Sequence, residues 1–485
     1  MNNVFEILLN YKNTCPDRVY LSDDNGSLTS LDVYNYASSL AHYILKLDIH
    51  SSPIIVLVDR SLKAIVSFFA IALCGNYYLP IDENVPFEKL SQMIQISNAK
   101  AYLSFNGTKI DGLKKIDYEE GINFGFDENK NLDLLNVFNK ELPLYLMFTS
   151  GSTGTPKGVL KSHENIISFV NNFKETFAMI SDEQRFMNQT PFFFDASSKD
   201  IYLSCFYKST LFIPNKSIYS LPQNTVNYLN EKQITLIMWV PSALSIIAKL
   251  HTLDFMKPTF LKYVFFVGEV FQTKYLNMWL KAEPQVKFFN IYGSTELAGV
   301  SLYYVVNHLL SDEETLPTGK PLKNNNVFLN DGEICIQSKQ IALGYINDNE
   351  KNEKTFKDID GIRTLFTGDY AFLDKDKNIV FSTRKDFQIK HLGYRIELQE
   401  IEHVVTLFDY VSSCCALFDK EKDQIILFAE LNKNIDNPIK TLLNDAKSHL
   451  QFYMVPNRVI ILNAMPLNSN GKIDRTLLLS SLRSK

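Results

Sequence analysis

The sequence predicts an α/β and α+β protein with a large N-terminal domain and a small C-terminal domain. Near the start, strand-like apolar runs at 53–58 and 101–104 alternate with helical patterns at 31–47, 61–74 and 88–96. Strands separated by helices in this way pair in parallel, so we predict helix-flanked, largely parallel sheets for the large domain.

The same alternation resumes further along the large domain and then stops. Residues 234–240, 263–267 and 286–291 have the pattern of central strands, each after a helical stretch. From 300 to 381, short strands alternate with Gly, Asn and Asp turns, which predicts a small β-barrel-like unit. The Gly-, Asn- and Asp-rich stretch 105–135 is predicted to be a surface excursion.

A short charged segment separates this domain from a compact α+β tail. The tail has two helical and two strand-like patterns, at 398–408, 439–450, 412–418 and 424–430. We therefore predict one domain over residues 1–383 and a second over 387–485, with a hinge near 384–386.

Composition and charge restrict the class of protein. With 485 residues, of which 46% are hydrophobic and 21% charged, the chain has the size for two or more globular domains. A net charge of −5 argues against general nucleic-acid binding, which requires a basic surface. The longest uncharged apolar run, 64–76, is too short to span a bilayer, so no membrane insertion is expected.

The cysteines and the N-terminus predict the compartment. The six cysteines form no CxxC pair, which fits reduced thiols and predicts neither a disulfide framework nor a zinc site. Residues 1–7 lack the basic start and apolar stretch of a signal peptide. A cytoplasmic location is therefore predicted.

The most informative stretch is the loop at 148–158, with the sequence FTSGSTGTPKG. Glycines let the backbone N–H groups approach an anion closely, and the hydroxyls and Lys157 add further donors. The loop therefore predicts a polyphosphate ligand, whereas a flexible linker would need no lysine. It is not a Walker A loop, because Pro156 replaces the second glycine and Gly158 follows the lysine.

Further motifs follow in a fixed order along nearly the whole chain. They are ALCGNYYLPID at 72–82, FDAS at 194–197, NIYGSTE at 290–296, TGD at 367–369 and NGKIDR at 470–475. Together with the loop, they resemble the adenylate-forming superfamily of acyl- and aryl-CoA synthetases, luciferases and non-ribosomal peptide synthetase adenylation domains. The segments 386–390 and 393–397 are most similar to the amino-acid-activating branch, which includes stand-alone D-alanine–carrier-protein ligases.

This resemblance implies two half-reactions. A carboxylate attacks the α-phosphorus of ATP with Mg²⁺ present and releases pyrophosphate, and a thiol then takes the acyl group. In the family the small domain is mobile and rotates between the two steps, and Asp386 matches the family's hinge position. No carrier domain follows residue 485, so the expected thiol is the phosphopantetheine of a separate acyl or peptidyl carrier protein.

The resemblance also assigns residues to ATP and to catalysis. Lys472 is expected to bridge the substrate carboxylate and the phosphate, Glu296 to bind Mg²⁺, and Thr295 to contact the α-phosphate. Adenine is expected on Tyr292 and the ribose on Asp369 and Arg384. The full set of expected nucleotide-binding residues is Thr149, Ser150, Gly151, Ser152, Thr153, Gly154, Lys157, Asn290, Tyr292, Gly293, Asp369 and Arg384.

A second set of residues is expected to bind the acid. By resemblance, Asp195 binds the α-amino group of an amino acid; the alternative is a buried aspartate that caps a turn. The other expected pocket residues are Ala196, Lys199, Met238, Phe265, Val267, Ile291, Gly299 and Val300. Because most of these fill space, the side-chain pocket is predicted to be small or narrow.

Two of these positions depart from D-alanine ligases. Val267 stands where those enzymes often have cysteine, and Lys199 where they have an apolar residue. A lysine in an apolar pocket requires a counter-charge, which could be a substrate carboxylate, Asp195 or Asp200.

Two rival functions stay open at this point. The first is an acyl- or aryl-CoA synthetase that acts on a carboxylic acid without an amine. The second is a catalytically inactive relative that docks carrier proteins. Asp195 argues against the first rival, and the presence of Lys157, Glu296, Asp369 and Lys472 argues against the second.

Overall fold

The computed structural model describes residues 1–149, 156–311, 314–384, 388–433, 435–466 and 473–483. The chain folds as two compact units: the first contains residues 1–83, 94–148 and 158–383, and the second contains residues 84–93, 149–157 and 384–485. The sequence pattern does not predict that residues 84–93 and 149–157 belong to the same unit as residues 384–485. The domain boundary and hinge near 384–386 stay a prediction.

The helices, in chain order, are α1 (Phe5–Thr14), α2 (Ser30–Lys46), α3 (Leu62–Leu73), α4 (Phe87–Ser97), α5 (Tyr118–Ile122), α6 (Glu128–Asn136), α7 (His163–Thr176), α8 (Ser197–Phe206), α9 (Pro222–Glu231), α10 (Pro241–Lys249), α11 (Thr273–Ala282), α12 (Asn349–Thr355), α13 (Leu398–Thr406), α14 (Pro438–His449) and α15 (Arg475–Arg483). Short 3₁₀ helices lie at Lys216–Ser220, Thr252–Asp254 and Phe452–Met454. Within the described ranges, no helix is long and apolar enough to cross a membrane.

The strands, in chain order, are β1 (Val19–Asp23), β2 (Gly26–Thr29), β3 (Pro53–Val58), β4 (Tyr77–Asp82), β5 (Ala101–Ser104), β6 (Lys114–Lys115), β7 (Pro143–Thr149), β8 (Lys157–Ser162), β9 (Arg185–Met187), β10 (Thr210–Ile213), β11 (Leu236–Trp239), β12 (Tyr263–Val267), β13 (Lys287–Tyr292), β14 (Leu302–Val306), β15 (Lys320–Pro321), β16 (Asn326–Asn330), β17 (Glu333–Gln337), β18 (Gly344–Tyr345), β19 (Phe356–Ile359), β20 (Ile362–Leu373), β21 (Ile379–Arg384), β22 (Gln388–His391), β23 (Tyr394–Glu397), β24 (Val411–Asp419), β25 (Gln424–Leu431) and β26 (Arg458–Leu462).

The largest sheet of the first unit has nine strands in the order β15–β14–β13–β12–β11–β9–β10–β1–β2. Its centre is parallel, and antiparallel pairs flank it on both sides. Alternate residues of the central strands face two different cores: Met238 and Phe265 belong to one, and Trp239 and Phe266 to the other. Burial of both faces explains why these strands read as continuous apolar runs.

The second sheet of the first unit has seven strands in the order β18–β8–β7–β4–β3–β5–β6. Strand β3 is buried along its whole length and pairs in parallel with β4 and β5. Strand β8 leads directly into α7 through a capping box. In this box Ser162 Oγ accepts from Asn165 N, and Asn165 Oδ1 accepts from Ser162 N. This cap fixes the end of β8, which carries a side chain of the site described below.

A smaller sheet completes the first unit. Its strands follow the order β16–β17–β20–β19, and β21 pairs with β20. This five-stranded sheet corresponds to the predicted β-barrel-like unit, and its described strands form an open sheet rather than a closed barrel.

The second unit combines a β22–β23 hairpin with the three-stranded sheet β24–β25–β26. Its core joins Cys415, Phe428, Met465 and Leu478 from strands, a loop and α15. The α+β character predicted for the tail is confirmed, and α15 and β26 are elements that the sequence pattern did not predict.

The predicted elements agree with the structure wherever apolar runs are long. Strands β3, β5 and β12 have the predicted bounds, and α2 and α3 differ from prediction by one residue at each end. The stretch 105–135, predicted to be a surface excursion, contains β6, α5 and most of α6, and most of its residues are exposed or half-buried. A few buried residues anchor it; Asn131, for example, donates to Ser38 Oγ at 2.9 Å.

Candidate functional site

The carboxyl ends of the central parallel strands and the loops after them carry most of the predicted site residues of the first unit. Strand β13 ends at Tyr292, and the segment from Gly293 to Glu296 follows it directly. Strands β11 and β12 end at Trp239 and Val267 beside it. Ligands in open parallel sheets bind at this edge, so the topology agrees with a binding site here.

Two glycines keep the backbone after β13 compact. A Cβ atom on Gly293 would lie 2.4 Å from the carbonyl oxygen of Gly299. Gly299 has φ +68°, and a Cβ atom there would lie 2.2 Å from a ring carbon of Phe169. Any larger residue at either position would move the backbone of this turn.

Asp195 lies in the turn before α8 and is held there by its own backbone. Its carbonyl oxygen accepts hydrogen bonds from Ser198 N at 3.0 Å and from Ser198 Oγ at 2.7 Å. Its carboxylate oxygen Oδ1 accepts from Tyr145 Oη at 2.8 Å. The side chain keeps 11% of its surface exposed, and no described residue donates a hydrogen bond to Oδ2.

Lys161, on β8, is a member of this site that sequence reasoning missed. Its ammonium donates to Asp195 Oδ1 at 2.5 Å and to the carbonyl oxygen of Leu297 at 3.0 Å, and its side chain is 0% exposed. It also lies 5.5 Å from the ring centroid of Tyr145. Burial lowers the pKa of Lys161, while the carboxylates of Asp195 and Glu296 act in the opposite direction. The signal for this residue was a lysine inside the otherwise apolar stretch after the loop.

Glu296 is buried beside Tyr345, a second residue that sequence reasoning did not single out. The Tyr345 hydroxyl donates to Glu296 Oε1, and Ala342 N donates to the Glu296 carbonyl oxygen at 2.9 Å. Within the described ranges, no group of three or more His, Cys, Asp or Glu side chains surrounds a possible metal position. A single carboxylate fits Mg²⁺, which commonly takes its other ligands from phosphates and water.

The structure brings together two residues that were predicted to hold the nucleoside. Tyr292 Oη donates to Asp369 Oδ2 at 2.5 Å, and both residues are buried. Asp369 follows Gly368, whose φ is +73°, and Asp369 N donates to Thr367 Oγ1 at 3.1 Å. Asn290 uses its amide to donate to the carbonyl oxygen of Pro317 at 2.7 Å, and Thr295 is half-buried in the turn after β13.

The predicted acid pocket lies on one face of the nine-stranded sheet. Register pairs Met238 with Phe265, and Val267 with Ile291, so these side chains share a face. Phe265 is fully buried and stacks on Phe289 with ring centroids 4.6 Å apart. The same core contains Val300 and, from α7, Phe173.

Lys199 and Asp200 are adjacent and buried at the start of α8, after Ala196. Lys199 Nζ donates to the Ala196 carbonyl oxygen at 2.9 Å, and Asn188 Nδ2 donates to Asp200 Oδ2 at 2.9 Å. Burial raises the pKa of Asp200 to about 7, against the opposing effects of Lys199, Asn188 and Arg60.

Of the predicted nucleotide-binding residues that the structure describes, Thr149, Lys157 and Arg384 belong to the second unit. Thr149 Oγ1 donates to the Lys157 carbonyl oxygen at 3.4 Å, and Arg384 Nη2 donates to Gln388 Oε1 at 2.8 Å. Several predicted site residues lie outside the described ranges; they are Ser150, Gly151, Ser152, Thr153, Gly154, Asp386 and Lys472.

Comparison with protein families and curated proteins gives sequence relatives. Residues 10–346 match the family model described as AMP-binding enzyme. Zwittermicin A synthase ZmaJ of Bacillus cereus is 30% identical over 96% of this chain and 92% of its own length. The D-alanine–D-alanyl carrier protein ligase of Staphylococcus aureus strain Newman is 28% identical over 98% of both chains.

Solved structures share this fold. The Vibrio cholerae adenylation domain AlmE, in complex with glycyl-adenosine-5'-phosphate, superimposes with a TM-score of 0.84 and 21% identity over 100% of this chain and 98% of its own. At this identity the superposition describes the fold.

Proposed function

Because the chain belongs to the AMP-binding enzyme family, we propose that it activates an amino acid with ATP and transfers it to a carrier protein. The observation that carries the amino-acid part is Asp195, a carboxylate in the turn before α8 that keeps 11% of its side-chain surface exposed. The relatives support the same reading, since one is a D-alanyl carrier protein ligase and a structural relative is an adenylation domain that holds glycyl-adenosine-5'-phosphate.

In the first half-reaction, a carboxylate oxygen of the acid attacks the α-phosphorus of ATP. The bond from that phosphorus to the bridging oxygen breaks, and pyrophosphate leaves. Both reactants are anions, so fixed positive charge lowers the barrier. By resemblance, the loop from Thr149 to Lys157 holds the β- and γ-phosphates, and Lys472 stabilises charge that develops in the transition state.

We propose that Tyr292 and Asp369 bind the nucleoside part of ATP. Their hydrogen bond fixes the tyrosine ring, which we propose lies against adenine, and we propose that the Asp369 carboxylate accepts a hydrogen bond from a ribose hydroxyl. We propose that Arg384 also serves the ribose, and that Asn290, Gly293 and Thr295 shape the backbone around the phosphates.

Glu296 is proposed to hold Mg²⁺ together with the ATP phosphates. Its backbone carbonyl is tied to Ala342 and its carboxylate to Tyr345, so it is pre-positioned. When bound, the ion would neutralise phosphate charge. This proposal requires that Tyr345 orients the carboxylate.

In the second half-reaction, a thiol sulfur attacks the acyl carbon of the adenylate, AMP leaves, and the thiol proton passes to solvent. We propose that the thiol is the phosphopantetheine of a separate carrier protein and that the chain hinges at Asp386 between the steps. Because the reaction consumes ATP and a free thiol, we place it in the cytoplasm, where thiols stay reduced.

We propose that the acid is small. Met238, Phe265, Val267, Ile291 and Val300 are all buried and fill one face of the sheet. Ala196 and Gly299 add little volume, so side-chain space is restricted. The dicarboxylate alternative for Lys199 stays a prediction.

The test is acid-dependent ATP–pyrophosphate exchange with all proteinogenic amino acids, both alanine enantiomers and several dicarboxylates. We expect exchange with one or a few small amino acids, and its loss in Lys472→Ala while ATP still binds. The matched control is Lys420→Ala, an exposed turn lysine of the same unit, which should exchange normally.

Two results would overturn the proposal. Exchange only with acids that lack an amine, followed by transfer to coenzyme A, would favour a CoA synthetase. ATP binding with no exchange for any acid would favour a relative that docks carrier proteins without catalysis.

A further inference from the structure

The residue expected to bind the substrate ammonium already has an ammonium partner within the protein. Lys161 Nζ lies 2.5 Å from Asp195 Oδ1, and Tyr145 Oη lies 2.8 Å from the same oxygen. The Lys161 side chain is 0% exposed, so solvent does not screen this pair. Oδ1 therefore has two donors within the protein, and Oδ2 is the oxygen to which no described residue donates a hydrogen bond.

This arrangement changes the electrostatics of the amine subsite. A lone buried carboxylate strongly favours a cationic ligand over a neutral one, because the ligand removes an uncompensated charge. Here Lys161 compensates that charge from within the fold. Glu296 is the other carboxylate that acts on Lys161, and it favours the charged form of the lysine.

The position of Lys161 is built into the chain. The capping box of Ser162 and Asn165 fixes the end of β8, and the Leu297 carbonyl oxygen accepts a second hydrogen bond from Nζ at 3.0 Å. Leu297 follows Glu296 directly, so one lysine ties the backbone after the proposed metal ligand to the proposed amine anchor. A lysine held by two acceptors does not leave when a substrate arrives.

We propose that Lys161 is a positioning residue that sets substrate class: it lowers the preference of the site for an α-ammonium, so that small α-hydroxy acids are activated alongside the matching amino acids. The inference rests on the proposed adenylation. An α-hydroxyl can donate a hydrogen bond to Asp195 Oδ2 without adding charge to a subsite that is already neutral overall.

A purely structural role for the pair is the alternative. Buried ion pairs can often be replaced by apolar residues without loss of stability. A structural role predicts that substitutions change expression or stability but leave the ratio between amino and hydroxy substrates unaltered.

The test compares an amino acid that supports exchange with the α-hydroxy acid of the same side chain. The kcat and KM of ATP–pyrophosphate exchange are measured for both acids in the wild-type protein and in Lys161→Met. In the wild-type protein we expect the kcat/KM values for the two acids to lie within about tenfold of each other. Lys161→Met should raise the ratio of kcat/KM for the amino acid to kcat/KM for the hydroxy acid by about tenfold or more, because the KM of the amino acid falls.

Two variants serve as controls. Lys208→Met breaks an ion pair with Asp182, of 3.2 Å, elsewhere in the first unit and should leave the ratio unchanged. The double variant Lys161→Met with Asp195→Asn removes both charges, and its ratio should return to within about threefold of the wild-type value.

An unchanged ratio in a folded Lys161→Met protein would overturn the inference and leave the adenylation proposal intact. If Lys161→Met does not fold, the comparison of the two acids in the wild-type protein is the test. A kcat/KM for the hydroxy acid that is more than about a thousandfold below that for the amino acid would overturn the inference. Absence of exchange with every acid of either type would instead refute the proposed function.

Discussion

The first unit contains two nearby sets of one lysine and one aspartate, and the two sets differ in whether the side chains form an ion pair. Lys161 and Asp195 are 34 residues apart in the chain and form a direct ion pair. Lys199 and Asp200 are neighbours in α8, yet the lysine donates to the Ala196 carbonyl oxygen and the aspartate accepts from Asn188. Adjacent helical residues point in different directions, so proximity in sequence does not produce an ion pair.

The difference separates a partly exposed carboxylate with a direct ion pair from a fully buried one that forms no such pair with any described residue. Asp195 is partly exposed and its charge is balanced by a lysine. Asp200 is buried, and its pKa is raised to about 7 because burial outweighs the neighbouring positive charges. Of the counter-charges considered for Lys199, Asp195 is engaged by Lys161, and Asp200 interacts with Lys199 only through space.

The largest effect is expected from Asp195→Ala, which leaves the buried Lys161 ammonium without its carboxylate. Breaking one side of a buried pair costs about 3–5 kcal/mol, so the free energy of unfolding should fall by that amount. Urea denaturation measures the loss, and Asp195→Ala combined with Lys161→Met should recover most of it. A loss below about 0.5 kcal/mol would mean that the pair is not formed in the protein.

A pH effect is expected from Asp200. Its pKa is raised from 3.8 to about 7 in the folded protein, so the folded state holds a proton that the unfolded state has lost between these values. Its stabilising contribution is therefore complete below pH 3.8 and is lost as the pH rises through about 7.

Asp200→Asn tests this statement, because the amide does not titrate. The Tm of the wild-type protein should decline between about pH 4 and pH 7 relative to the Tm of Asp200→Asn, and level off above that range. Parallel pH profiles for the two proteins would show that folding does not change the protonation of Asp200 and would contradict the raised pKa.

The smallest effect is expected from Tyr145→Phe, which removes one hydrogen bond to Asp195 Oδ1 and keeps the ring beside Lys161. A hydrogen bond to a charged group contributes about 1.5–3 kcal/mol, so stability should fall within that range. Calorimetry provides the measurement. A loss as large as that of Asp195→Ala would show that the hydroxyl, rather than the lysine, holds the carboxylate.

The sequence predicted the fold well where a segment has one strong pattern. Strands 53–58, 101–104 and 263–267 are continuous apolar runs, and the structure confirms their bounds. The segment 105–135 is polar on average, and its short helices make contacts outside the segment that a local pattern does not contain, such as the hydrogen bond from Ser39 Oγ on α2 to the Gly121 carbonyl oxygen at 2.9 Å.

The candidate site likewise contains residues that the sequence predicted and residues that it did not. The order of the motifs predicted that residues such as Asp195, Glu296 and Asp369 would be important, but not what holds them. Lys161 and Tyr345 reach their partners across 34 and 49 residues of chain, and only the tertiary fold brings them there. Tertiary partners of this kind carry no local signature.

The most direct test of the central claim is the fate of the oxygen that the acid contributes. An amino acid that supports exchange is labelled with ¹⁸O in its carboxylate and incubated with the protein, ATP and hydroxylamine as the acceptor. Attack of the carboxylate on the α-phosphorus predicts AMP that carries one ¹⁸O atom, read by mass spectrometry. Label in inorganic phosphate, or AMP without label, would contradict the adenylate mechanism.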